Sequence, residues 1–255
     1  MTLPEGKKIY FASDFHLGFP SYAETISRER RIVAWLEEAA LDAAEVFLVG
    51  DLFDFWFEYK RAVPKGFTRL LAAIGRLVDQ GIPVHIYVGN HDLWMWDYLP
   101  IETGAQVYRK PIHREWNGQR FYIAHGDGLG PGDRGYKFLK RIFTNKVCQW
   151  LFHRLHPNFG VWLALKSSDT SRNAKPAEDK SFLGEDREWL IQHSKNVLAE
   201  QHFHHFVYGH RHVPMTFDLG QDSQYVNLGD WIGHNTYAVF DGQQLELLTY
   251  GKPGA

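Results

Sequence analysis

Five times along this chain a short apolar run breaks into a cluster of carboxylate, imidazole and amide side chains: SDFH at 13–16, VGDLFD at 49–54, VGNHD at 88–92, AHGD at 124–127 and GHRH at 209–212. No other feature constrains the fold as tightly. The runs before the clusters, at 8–12, 45–49, 84–88, 120–124 and 206–208, have the length and the β-branched or aromatic content of buried strands. Between the first three lie stretches with helical apolar spacing, 25–41 and 67–78, and the second is stopped by Gly81 and Pro83. Strand and helix in alternation predict a parallel sheet with helices on its faces. The strand-rich stretches at 106–109, 120–124 and from residue 224 onward predict a second sheet packed against it, and so an α/β sandwich. In open α/β sheets, sites collect beyond the carboxyl ends of the strands, so the five clusters should meet on one rim.

Residues 130–200 break this rhythm. Phe138, Leu139, Ile142, Phe143, Val147, Trp150 and Leu151 share one face of a single predicted helix, with Lys137, Lys140, Arg141, Lys146 and Arg154 around it. The polar stretch 167–180, which contains Pro176, predicts a loop before a helix at 186–200. We expect one domain over 1–255 with a helical cap inserted at about 130–200. The apolar face of the cap has two readings: an ordinary core-facing stripe, or a cover for acyl chains whose surrounding cations meet anionic headgroups.

Composition removes several function classes. Apolar residues are 44% and charged residues 23% of the chain, which excludes a mainly disordered protein. A net charge of -2 provides no general field for nucleic acid, so no nucleic-acid partner is expected, and no obligate protein partner is evident. The single cysteine, Cys148, cannot form an internal disulfide and suits a reducing compartment. Neither a secretory leader nor an uninterrupted apolar span is visible, so a cytoplasmic protein is expected.

Asp14, His16, Asp51, Asn90, His125, His210 and His212 form a donor set of carboxylate, imidazole and amide oxygen. Such donors suit manganese, iron or zinc, whereas calcium favours oxygen alone and structural zinc favours thiolate. Seven donors suggest two ions, with Asp51 as the natural shared carboxylate. Taken singly, Asp54, Asp92 and Asp127 serve as well as turn or capping residues. The run His202, His204, His205 imitates a metal tract, but we read it as a solvated helix end entering a strand; His85, His113, His153, His156, His193 and His234 are read as structural too.

In order, the series Asp14-Phe15-His16, Gly50 to Asp54, Gly89 to Asp92, His125 to Asp127 and Gly209 to His212 resembles the calcineurin-like binuclear metallophosphoesterases over roughly residues 8–214. The resemblance implies a four-layer αββα sandwich. It implies that Asp14, His16, Asp51 and His212 hold one metal while Asp51, Asn90, His125 and His210 hold the other, manganese being the first expectation and iron or zinc the alternatives. A metal-bridging hydroxide would then attack phosphorus in line. His91 would contact the phosphoryl oxygen or protonate the leaving group, and Asp54, Asp92 and Asp127 would steady imidazole rings.

Within that family the chain is similar to the bacterial UDP-2,3-diacylglucosamine pyrophosphohydrolases, through FASDFHLG, VGDLFDFW, Asp133 eight residues beyond His125, and NLGDW near the end. These are peripheral inner-membrane enzymes that release UMP and 2,3-diacylglucosamine 1-phosphate. The likeness implies a nucleotide-linked glycolipid substrate, peripheral membrane contact through the cap, and substrate contacts at Asp133, Ser167, Ser168, Asn173 and Lys175. The best-known members carry arginine where this chain has His91. That departure keeps open a phosphodiesterase or phosphatase acting on nucleotides or other small phosphoesters. A silent scaffold would be expected to lose donors, and all seven are present.

Overall fold

The computed structural model describes residues 1–132, 134–174 and 181–251, with every side chain among them except those of Tyr22 and residues 167–174. Strands β1 (Lys8–Ala12), β2 (Ala43–Leu48), β3 (Val84–Tyr87) and β4 (Gln106–Tyr108) run parallel and adjacent. The parallel order arises because α1 (Tyr22–Ala39), α2 (Thr68–Asp79) and the short α3 (Tyr98–Thr103) carry the chain back between successive strands. The second sheet contains β5 (Ile112–Trp116), β6 (Gln119–Ala124), β7 (His205–Tyr208), β8 (Met215–Gly220) and β9 (Ser223–Asn227), in the order β5-β6-β7-β9-β8. The chain then returns to the first sheet through β10 (Thr236–Phe240), antiparallel to β1, and β11 (Leu245–Thr249) at its edge.

Alternation along the strands builds the layers. In β1, Ile9 and Phe11 face the second sheet, in a core where Phe47 and Phe240 of the first sheet join Trp116, Phe121, Val207 and Val226 of the second. Tyr10 and Ala12 point the other way, into a core with Trp35 and Leu36 of α1 and Leu70 and Ile74 of α2. The outer face of the second sheet buries Tyr122, Phe206, Tyr208 and Tyr225 against Leu190, Ile191 and Leu198 of a later helix, Trp189–Glu200. Helices, sheet, sheet and helix thus make the four-layer αββα sandwich. Each fully buried aromatic stabilises it by about 2–3 kcal/mol.

Several elements differ from the sequence expectation. Strand β4 joins the first sheet, as do β10 and β11, because their apolar faces pair with strands on either side of the β1–β3 centre. Strands β5 and β8 were not expected: they sit at the edges of the second sheet, and their burial alternates along a half-polar sequence. The single helix expected around residues 138–151 is two, α4 (Arg134–Thr144) and α5 (Lys146–Phe152). The break is at Asn145, whose side chain accepts from Val147 N (2.9 Å) and Cys148 N (3.2 Å) and caps α5. A third inserted helix, α6 (Pro157–Ala174), runs through the first half of the expected 167–180 loop, and α7 is the helix Trp189–Glu200. Neither α4 nor α5 has a buried residue. The insertion nevertheless rests on the loops after β2 and β3: Phe152 packs on Phe57 and Trp94 (centroids 4.8 Å each), and Trp94 Nε1 donates to Phe143 O at 2.8 Å.

Candidate metal centre

The loops leaving β1, β2, β3, β6 and β7 converge on one rim, and the seven expected donors meet there. The local backbone is unusual. Asp14, His16, Asp51, His210 and His212 all have left-handed φ, between 43° and 69°. An L-residue held there costs on the order of 1 kcal/mol or more, so five of them at one rim mark a geometry sustained by the surrounding fold. Part of that support is Arg28, buried on α1, whose Nη1 donates to Phe15 O (3.0 Å) and His16 O (2.9 Å).

The seven expected donors divide into two clusters that share the neighbourhood of Asp51, and His91 forms a further metal-capable group with His16 and Asp51. In one, His16 Nε2 lies 3.2 Å from His212 Nε2 and 3.6 Å from Asp14 Oδ1. In the other, Asn90 Oδ1 lies 3.2 Å from His125 Nε2 and 2.8 Å from His210 Nδ1. Asp51 Oδ2 is 3.7 Å from His16 Nε2 and 3.3 Å from His125 Nε2. Gly89 lets the loops after β2 and β3 come together, since a Cβ there would fall 2.2 Å from Asp51 Oδ1.

Hydrogen-bond chemistry tests whether metal ions fit. Val49 O can only accept, so Nδ1 of His125 carries the hydrogen of their 2.8 Å bond, and Nε2 is the atom turned toward Asn90 and Asp51. His212 Nδ1 donates to Asp230 Oδ2 at 3.2 Å, which likewise leaves Nε2 toward the cluster. Asp14 Oδ1, fully buried, has no hydrogen-bond partner. Acceptor atoms therefore crowd the site and call for positive charge among them. Imidazole, carboxylate and amide oxygen are suitable donors for two first-row divalent ions, and the residues present fit that group.

The protonation shifts point the same way. Burial opposes a charge on His125, but Asp51, Asp14 and Asp127 outweigh it and push the imidazole up to about 10. Burial also opposes ionisation of Asp14 and Asp51, yet His212 for the first and His125 for the second help hold both below the usual carboxylate range. Burial dominates at His210 and His91, which are pushed down to about 4. The two buried carboxylates thus draw positive charge inward.

His91 sits beside both clusters. Its backbone N–H donates to Asp51 Oδ1 (2.8 Å), its ring lies edge-on to His16 (centroids 4.7 Å), and its Nδ1 donates to Asp54 O (3.1 Å). Asp54 is also 3.3 Å from His16 Nδ1, next to a ring that it was expected to steady. Among the described residues neither Asp92 nor Asp127 makes a hydrogen bond or ion pair with an imidazole, contrary to expectation. Asp92 instead takes backbone N–H groups of Gly89 (2.7 Å) and Leu52 (2.9 Å), tying the β2 and β3 loops together. Burial, with Asp51 nearby, pushes its carboxyl up to about 7. Asp127 accepts from Tyr136 Oη and from Lys140 Nζ (2.6 Å), both on α4. Each carboxylate, buried, is engaged by these donors instead of by a ring.

Asp230 was missed. It is buried, its other oxygen accepts from Gly233 N (2.8 Å) and His234 N (3.1 Å), and the acid in NLGDW follows an apolar run as the five recognised clusters do. That signal was available. His202, His204 and His205 form no metal group among the described residues: they bond Gln221 O, Arg120 N and Gln119 Oε1. His205 is buried, so the run is a strand entry more than a solvated end. Asp133 and Lys175, and the side chains of Ser167, Ser168 and Asn173, lie outside the described residues.

The profile of the calcineurin-like phosphoesterase family matches residues 7–214. A relative named UDP-2,3-diacylglucosamine hydrolase, from Porphyromonas gingivalis, is 38% identical, over 94% of this chain and 96% of its own. One of the same name from Shewanella baltica strain OS185 is 27% identical, over 93% and 95%. Among solved structures, the E. coli phosphoesterase Yfce is 16% identical with a TM-score of 0.47, over 95% of this chain and 92% of its own.

Proposed function

Because the chain belongs to the calcineurin-like phosphoesterase family, whose members are metal-dependent phosphohydrolases, we propose that its substrate is UDP-2,3-diacylglucosamine, cleaved at the pyrophosphate to UMP and 2,3-diacylglucosamine 1-phosphate. The carrying observation is the pair of donor clusters around Asp51, in a chain that aligns over nearly its full length with a relative named for that hydrolysis. Asp14, His16, Asp51 and His212 would hold one divalent ion, and Asp51, Asn90, His125 and His210 the other, with manganese the favoured metal. When bound, the ions polarise the phosphoryl oxygens and activate water for in-line displacement.

The chain's own residues do the rest. His91, fixed through Nδ1 on Asp54 O, presents Nε2 to the phosphoryl or leaving oxygen. Buried Phe15, Leu52 and Phe53 keep water from the donors' rear. The inserted helices act as a cap: Trp94, Phe143 and Phe152, backed by buried Phe57, form an aromatic wall that continues from the His91 loop and suits acyl chains.

Among the described residues no helix is long and apolar enough to cross a membrane. The inserted helices expose Phe138 (62%), Trp150 (55%) and Trp162 (52%), with Arg154 over the Trp150 ring and Lys166 over that of Trp162. Such a surface supports peripheral contact with the cytoplasmic face of a membrane bearing anionic lipid. His91 in place of arginine favours the second reading, a small soluble phosphoester, because it offers a proton-transfer group without a fixed charge. UMP release from UDP-2,3-diacylglucosamine by manganese-loaded protein tests the choice. Turnover of the lipid well above that of bis-p-nitrophenyl phosphate is expected, and the reverse order would establish the soluble reading.

A further inference from the structure

One ion pair ties the insertion to the metal-ligand loop. Arg211 stands between His210 and His212, in a turn closed by Arg211 N donating to Gly209 O at 2.8 Å. Its flanking histidines serve different clusters: His210 is 2.8 Å from Asn90 Oδ1, and His212 is 3.2 Å from His16 Nε2. Both have left-handed φ, 69° and 54°, so the turn has no regular secondary structure of its own to hold the two rings. The side chain of Arg211 points away from the donors to Glu188. Nε donates to Oε2 at 3.0 Å and Nη2 to Oε1 at 2.9 Å, a two-point fork.

Glu188 is almost wholly buried, and Oε1 also accepts from Leu183 N at 3.1 Å. Arg211 Nη2 further reaches Ser181 O at 3.3 Å. The pair therefore joins the histidine turn to the segment at 181–188 that leaves the insertion and starts α7. The next residues of α7 press on the other histidine loop. A Cβ at Gly126 would meet Leu190 at 2.9 Å, and one at Gly130 would meet Trp189 O at 2.4 Å. The start of α7 thus touches the loops that carry His125, His210 and His212.

We propose that Arg211 and Glu188 are positioning residues for hydrolysis: their two-point fork sets the aim of His210 and His212 by fixing the turn between them to the exit of the insertion. This rests on the reading of the site as a binuclear metal centre. The fork, and not merely the opposite charge, does the positioning, because a single-point ammonium leaves the turn free to rotate about the contact.

The test compares wild type, Arg211→Lys and Glu188→Gln by manganese titration calorimetry and by the electron paramagnetic resonance of the metal pair, with the melting temperature of metal-free protein alongside. Wild type is expected to bind two ions. Each variant is expected to lose about 10- to 100-fold in affinity for at least one ion and to lose the coupled-pair signal, with the metal-free fold kept. The double variant is expected to be no worse than the poorer single one, since both changes remove one interaction. If Arg211→Lys fails to fold, the isosteric Glu188→Gln carries the test. Wild-type affinities in the variants, with or without a lower melting temperature, would overturn the proposal and leave the pair purely structural. A wild type that binds no ion would overturn the binuclear reading and the proposal with it.

Discussion

Replacing Gly89 by alanine separates geometry from chemistry at the centre of the site. Gly89 lacks the left-handed φ of many glycines in this chain, so its backbone accepts alanine without strain. The added Cβ is the whole perturbation. It would lie 2.2 Å from Asp51 Oδ1, 2.7 Å from Cγ and 2.6 Å from the backbone N of the same residue. Ordinary contact begins near 3.4 Å, so the Asp51 carboxylate must withdraw by about 1.2 Å, and the backbone nitrogen cannot withdraw without moving the loop.

Overpacking of this kind costs about 1–3 kcal/mol, offset by about 0.4–1 kcal/mol from the stiffer unfolded chain. A net loss of about 1–2 kcal/mol is expected in urea unfolding of the metal-free protein. Function should suffer more. A displacement of about 1 Å at a reacting centre costs roughly 100-fold in rate, and Asp51 lies in both donor clusters and holds the His91 N–H. Steady-state hydrolysis should fall by that order and manganese affinity with it. Gly75→Ala is the control: it lies in α2, where the nearest atom to a new Cβ is 4.0 Å away, and helix propensity should raise stability by about 0.8–1 kcal/mol with activity unchanged. Gly89→Ala with wild-type metal affinity and turnover would refute the steric account of the shared carboxylate.

Three further outcomes are expected. His91→Asn should lower kcat about 100-fold or more while two ions still bind, measured by turnover beside calorimetric stoichiometry; loss of an ion instead would make His91 a ligand. Asp230→Asn should weaken manganese binding about 10- to 100-fold, because His212 loses the carboxylate on its Nδ1, and an unchanged titration would remove that role. The acid limb of stability should depend on His205. Burial pushes its imidazole down to about 4, and the opposing help from Gln224 is too small to offset it. A histidine with a depressed folded pKa favours folding fully above its unfolded value near 6.5, and that contribution is lost as pH falls toward 4, at most about 3 kcal/mol. His205→Phe, compared with wild type in urea at pH 7 and pH 4.5 without metal, should flatten this dependence; equal slopes would refute it.

The site was legible wherever its chemistry coincided with a simple chain rule. Asp14, Asp51, Asn90, His125 and His210 each stand just past an apolar run, and burial of the strand dictates both the run and its end. The layers followed from alternating strands and helices for the same reason. Elements with half-buried faces did not declare themselves: β5 reads IHREW and β8 reads MTFDLG, and apolar continuity is the wrong test for an edge. The engagement of Asp127 by Lys140 and Tyr136 is a tertiary matter that spacing along the chain cannot express. Glu188 and Arg211 are separated by 23 positions and look, one at a time, like ordinary surface charges.

The donors also come from separate halves of the sandwich. Asp14, His16, Asp51 and Asn90 leave the first sheet, whereas His125, His210 and His212 leave the second. Neither sheet holds a complete set, so the ions, once bound, act as rivets across the seam between two layers otherwise joined by Phe11, Phe47 and Phe121. Metal uptake during refolding then becomes a clock for one event, the docking of the sheets, and chelation should loosen the rim of that seam before it disturbs the hydrophobic middle.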